Sequence, residues 1–218
     1  MEDAKILIYD GTFNGYLTTV FTAYKEKIQV AAIQKNTVMQ NGLFSEGRTI
    51  LTVIDKAQRV WNAIQKKSDS AIKNVYFAFL SEEIGVELLL YHYIKKIFSN
   101  DNAMCFNFSS DTSLKVNQLA KSVSKEKYHI ESFLCFKRSE NNIYRSTICP
   151  ENDILPLLSK HFRSQYPNQK WLIYDSKRKY GLYYNLNTIV KVFSESIPIF
   201  TPSTTTINMP ILKEKLTA

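Results

Sequence analysis

The chain has 218 residues and a mass of 25.2 kDa, enough for one large hydrophobic core or two small ones. With 44% hydrophobic and 22% charged residues, wholesale disorder is excluded, and no apolar run approaches the ~20 residues needed to span a bilayer. The net charge of +8 is unevenly spread: residues 1–120 carry 13 Lys/Arg against 12 Asp/Glu, whereas residues 121–191 carry 13 against 6, a net of +7. Positive charge confined in this way is the electrostatic footprint of a polyanion partner.

In chain order, Lys5–Tyr9 reads as a short buried strand closed by Asp10-Gly11. Phe13, Leu17, Val20, Phe21 and Tyr24 then recur at helical spacing, with Thr12 or Asp10 as the cap. Residues 28–47 are mixed and polar, with Asn41-Gly42 marking a turn, and "RTILTVI" (48–54) is β-branched and predicts a strand. Asp55 offers a cap for a helix carrying Ala57, Val60, Trp61 and Ile64. Residues 70–98 predict two helical pieces broken at "LSEEIG", with Ser81 capping the second piece and Glu82 and Glu83 in its first turn. That second piece is apolar around much of its circumference and should be central. Asp111 caps a further helix through Leu114, Leu119 and Val123.

From about Phe133 the texture changes. "FLCFKR" and "IYRSTI" flank the polar turn Ser139–Asn142 and predict a hairpin. A helix follows from Asn152 or Asp153 with Ile154, Leu157, Leu158, His161 and Phe162 on one stripe, and "YPNQ" ends it. "WLIYDSKRKYGLYYN" (171–185) predicts a second hairpin, and Thr188–Phe193 a last strand. The expected fold is α+β: one domain over residues 1–193, helix-rich from about 11 to 127, with a C-terminal antiparallel β-β-α-β-β sheet over about 128–193. Residues 194–218 read as an extended linker or a truncated tail. The tetrad Leu-Ile-Tyr-Asp occurs twice, at 7–10 and 172–175, and reads as two similar strand ends rather than a duplication.

The second hairpin poses the functional question, because its tip holds Lys177, Arg178 and Lys179 where Asn-Gly would make a simpler turn. Cations beside tyrosines grip phosphate and stack on bases. The candidate nucleic-acid surface is therefore Lys177, Arg178 and Lys179, with Lys137, Arg138 and Arg145 extending the track and Tyr180 and Tyr183 as stacking rings. The catalytic candidates are Asp175, His161 on its apolar stripe, and Asp10, with no spacing rule joining them. "YDGTFNG" fails both the dinucleotide and the P-loop patterns. His and Cys spacings suggest no metal site, and no cofactor is implied. Cys105, Cys135 and Cys149 share no CxxC spacing. That predicts reduced thiols, with Cys135 and Cys149 as small buried hydrophobes, and the acidic start Met-Glu-Asp is no secretory leader. A cytoplasmic protein without a membrane partner is expected.

Three phrases together, "YDGTFNGYLTTVFTAY" (9–24), "AFLSEEIG" (78–85) and "KHFRSQYPNQKWLIYDSKRKYGLYYN" (160–185), resemble the uncharacterised "probable DNA metabolism protein" family. Members accompany a putative DNA modification/repair radical SAM protein, and in some relatives the domain is fused to a uracil-DNA glycosylase-like domain. The resemblance runs from about residue 5 to 193. It implies an accessory role in DNA modification or repair, with DNA, single- or double-stranded, and the radical SAM protein as partners. The three cysteines form no CxxxCxxC, so radical chemistry would belong to the partner. Two other readings compete. One is a glycosylase-like hydrolase using Asp175, His161 or Asp10, and the other is a pure protein–protein adaptor whose tyrosine-rich hairpin is the interface.

Overall fold

The structure, a computed structural model, describes residues 4–36, 47–99, 111–139 and 141–193. The expected Asn41-Gly42 turn, Cys105 and the 194–218 tail lie outside these. The chain divides into two compact units, Met1–Val123 and Ser124–Ala218.

In the first unit, β1 (Lys5–Tyr9), β2 (Val30–Lys35) and β3 (Gly47–Thr49) form a parallel sheet in the order β2-β1-β3. Parallel neighbours need a crossover, and α1 (Phe13–Lys25) makes the one from β1 to β2. Thr12 is extended and its Oγ1 accepts from Gly15 N at 2.9 Å, so Thr12 is the helix cap. Asp10 acts as a brace. Its Oδ1 accepts from Thr12 N (2.9 Å) and Thr12 Oγ1 (2.7 Å), and its Oδ2 from Thr52 Oγ1 (2.7 Å), tying the end of β1 to the chain after β3. Burial pushes the Asp10 carboxyl up, but the bonds from Thr12 and Thr52 outweigh it and hold it below the ordinary aspartate value. A Cβ at Gly15 would stand 2.1 Å from Asp10 Oδ1 and 2.8 Å from Thr52 Oγ1, so this network requires glycine there.

Helices α2 (Ile54–Lys67), α3 (Asp69–Leu80), α4 (Val86–Ser99) and the first half of α5 (Asp111–Phe133) complete the unit. α4 is central as expected, burying Leu90, Tyr91, Tyr93, Ile94 and Ile97. Its buried Glu87 accepts from Tyr9 Oη at 3.0 Å through Oε1, and from Tyr16 Oη at 3.0 Å through its carbonyl. Phe13, Tyr16, Tyr76 and Phe79 pack beside this pair with Trp61 edge-on to Phe13.

Several expected boundaries move. Val30–Lys35 is a strand despite its polar reading, because only Ile33 needs burial on an edge strand. The strand expected over 48–54 stops at Thr49: Val53 N donates to Thr18 Oγ1 (3.2 Å), which donates in turn to the Val53 carbonyl (3.1 Å), and α2 starts at Ile54. Val53, not Asp55, is the N-cap, and Asp55 sits in the first turn. Ser81 ends α3 rather than starting α4, donating from Oγ to the Ala78 carbonyl at 2.6 Å. The buried stripe of α5 is Ser113, Val116, Ala120 and Val123, which leaves Leu114 half exposed.

The second unit is α+β around one five-stranded sheet. Its strands, β4 (Lys137–Arg138), β5 (Tyr144–Ile148), β6 (Trp171–Asp175), β7 (Tyr180–Tyr184) and β8 (Ile189–Phe193), lie in sequence order. The sheet is not wholly antiparallel as expected: β5 and β6 run parallel, because α6 (Leu155–Gln165) lies between them and carries the chain back to the starting end. The other three pairs are antiparallel. Ile154, Leu155, Leu158 and Phe162 close over Trp171 and Ile173, all essentially without exposure, with Phe162 edge-on to Trp171. Burying each such side chain contributes roughly 1.5–3 kcal/mol. Cys135 and Cys149 are exposed thiols, contrary to the buried reading; each falls beside a strand, where neither face of the sheet encloses it.

Gly15→Ala should lower the urea midpoint by an amount equivalent to about 1–3 kcal/mol, since the new methyl breaks the Asp10 network. In an Asp10→Ala background the same change should cost much less, because alanine is the better helix former by about 1 kcal/mol. Equal costs in both backgrounds would show that the carboxylate does not set the glycine requirement.

Candidate nucleic-acid interface

The turn between β6 and β7 is built around Asp175, which has no exposed surface. Its Oδ1 accepts from Lys177 N (2.8 Å) and Arg178 N (3.1 Å), and its Oδ2 from Arg178 Nη1 (2.9 Å). The Arg178 guanidinium also donates to the carbonyls of Pro150 (3.2 Å) and Glu151 (2.8 Å), and Lys177 Nζ to Glu151 O (2.8 Å). Two of the three tip cations therefore staple the hairpin to the β5–α6 connection. Arg178 is only 10% exposed at its side chain. Lys179 closes the turn at φ +58 with its side chain exposed. Both copies of Leu-Ile-Tyr-Asp end the same way: Asp10 and Asp175 each accept the backbone N–H two residues on, an Asx-turn.

The other candidates divide by sheet face. Alternation places Trp171, Ile173 and Asp175 on the α6 side together with Tyr180, Leu182 and Tyr184. Arg138, paired with Tyr144, is on that side and donates from Nε and Nη2 to Asn142 Oδ1, bracing the β4–β5 turn. Tyr180 is buried; its hydroxyl donates to Asp153, and Lys191 Nζ covers its ring at 3.9 Å. Burial and the Asp153 carboxylate push that hydroxyl well above the usual phenol range. His161 is one-third exposed, with Nδ1 3.7 Å from Glu131 Oε1, an oxygen that also pairs with Lys127 at 2.7 Å. Asp175, His161 and Asp10 thus have separate partners, and Asp10 belongs to the other unit.

The opposite face carries a continuous row. The register pairs Lys137 with Arg145, Arg145 with Leu172, Leu172 with Tyr183 and Tyr183 with Val190, one residue from each strand. Lys137 and Val190 are exposed, Arg145 and Tyr183 are half-buried, and Leu172 forms the floor. Burial pushes the Arg145 guanidinium down, while the nearby Tyr183 hydroxyl opposes this; an arginine stays charged at neutral pH in either case. The next row runs Thr147, Tyr174, Gly181 and Val192. A Cβ at Gly181 would stand 2.9 Å from the Ile173 carbonyl, 3.1 Å from Leu172 Cδ1 and 3.3 Å from Tyr174 Cδ2, so the Leu172 and Tyr174 side chains both border the space the glycine leaves. Tyr174 was not among the sequence candidates. Its signal was present in the hairpin register, which sets it opposite the glycine of "KYGLYY".

Among the described residues, no three His, Cys, Asp or Glu side chains converge as metal ligands, and no helix is long and apolar enough to cross a membrane. Fold and site together define an α+β protein whose second unit presents a sheet face of cations and tyrosines. The chain belongs to the family described as a domain of unknown function (DUF4130), which matches residues 85–211 and so includes that entire sheet. No curated protein matches it.

Arg178→Ala should destabilise the protein by about 3 kcal/mol, because it strands the buried Asp175 carboxylate. Lys179→Ala should change stability by less than about 0.5 kcal/mol. Urea denaturation of both variants checks this, and equal midpoints would remove the stapling role of Arg178.

Proposed function

We propose that this protein is an accessory factor in DNA modification or repair that binds nucleic acid through the exposed face of its C-terminal sheet. The observation that carries the reading is the row Lys137–Arg145–Leu172–Tyr183, which aligns two cations and an aromatic ring on one sheet face across four successive strands. It stands within the stretch that holds a net charge of +7. Lys137 and Arg145 meet phosphate, Tyr183 offers an aromatic surface to the bases beside the buried Leu172, and Lys179 extends the positive field at the hairpin tip. Arg178, Lys177, Arg138 and Tyr180 support this surface by fixing the turns at its ends.

The resemblance to the "probable DNA metabolism protein" family adds the second half of the proposal, a radical SAM enzyme as partner. In that arrangement this chain holds the DNA and the partner performs the radical chemistry.

Fluorescence anisotropy of labelled DNA at several salt concentrations tests the binding. Affinity should fall linearly on a log–log plot, and Lys137→Ala and Arg145→Gln should each lower the slope by roughly 0.7–0.9. Absence of binding at low salt would sink the nucleic-acid reading and favour the adaptor.

A further inference from the structure

The chemistry of the exposed face also selects the form of the nucleic acid. Tyr174 stands on β6 directly opposite Gly181, the position on β7 that offers no side chain. Tyr174 Cδ2 lies 3.3 Å from where a Cβ would be, so any larger residue at 181 would push the ring away from the sheet. Tyr174 is half-buried, not enclosed, so part of its side chain meets solvent. Thr147 and Val192, in the same row, carry short side chains, and Thr147 is exposed.

Duplex DNA cannot use such a ring. Its bases stack on each other, and its major groove, about 12 Å wide, admits one helix or a two-stranded ribbon. Five strands spaced at about 4.8 Å make a platform of roughly 19 Å, too broad to enter a groove. A duplex could offer this face only its phosphates, leaving Tyr174 and Tyr183 without stacking partners. An unpaired strand has both components, with bases to stack and a backbone to neutralise.

We infer that the exposed sheet face binds unpaired nucleotides of single-stranded DNA, with a base stacked on Tyr174 over Gly181 and flanking phosphates on Arg145 and Lys137. This rests on the nucleic-acid reading above and narrows it to one form of ligand. The cations supply salt-sensitive affinity, and the ring supplies the preference for a displaced base.

The test uses the full chain and three labelled oligonucleotides of equal length: a single strand, the corresponding duplex, and an abasic single strand with the same phosphates. The intact single strand should bind tightest. Tyr174→Ala should weaken its binding by about 5- to 150-fold, the usual range for one lost base–aromatic stack, and Tyr174→Phe should restore it. The abasic strand should bind wild type as weakly as the intact strand binds Tyr174→Ala. Gly181→Val, which displaces the ring without removing it, should give a comparable loss. If Tyr174→Ala does not fold, the abasic comparison on wild type decides alone. Salt-sensitive binding that is equal for intact and abasic strands, or tighter for duplex, overturns the stacking inference and leaves the nucleic-acid reading standing. No binding of any oligonucleotide at low salt overturns both.

Discussion

A carboxylate with no exposed surface is costly unless its charge is matched, and the second unit is organised around one. Asp175 accepts from two backbone amides and from the guanidinium of Arg178, which in turn holds the carbonyls of Pro150 and Glu151. This closed circuit fixes the turn, and the turn fixes the register. With Asp175 opposite Tyr180, Tyr174 must face Gly181 and Leu172 must face Tyr183. A slip of one residue would move Tyr174 and Tyr183 into the core beneath α6 and expel Trp171. The composition of the exposed face therefore depends on an ion pair buried at the hairpin's end.

Charge in this unit serves two ends that composition cannot separate. Arg178, Lys177 and Arg138 spend donors on carbonyls or side-chain oxygens of nearby turns. Arg163 donates to the Asn187 carbonyl and lies 6.0 Å over the Tyr184 ring, and Lys127 pairs with Glu131. Lys137 and Lys179 project outward. The excess of +7 is therefore partly a set of internal braces and partly a surface field. Of the three consecutive cations at the hairpin tip, Lys177 and Arg178 are braces.

The repeated Leu-Ile-Tyr-Asp shows how one local solution serves two folds. After β1 the aspartate captures Thr12 and orders the entry to a helix; after β6 it captures Lys177 and orders a hairpin turn. In both, a strand delivers a short carboxylate to the N–H groups of the chain that leaves it. The neighbours differ, Thr52 in one case and Arg178 in the other, and they decide which structure follows.

Much of this was readable from residues alone, where the signal is local. Helical spacing in Phe13–Tyr24, the break near Ser81, the stripe on α6 and the alternation in the 171–184 hairpin all appear in the structure, because period and turn chemistry act over a few residues. The α+β class and the division of Trp171 and Ile173 from Leu172 and Tyr174 follow from the same patterns. What required tertiary structure was everything set by distant neighbours. Val30–Lys35 became a strand only because β1 lies beside it, and the β5–β6 pair became parallel because a helix intervenes. Arg178 and Arg145, alike in sequence, part company because one finds a buried carboxylate at a turn and the other stands mid-strand, paired with Leu172. Tyr174 gained its place from Gly181 on the adjoining strand, a relation that exists only once the register is closed.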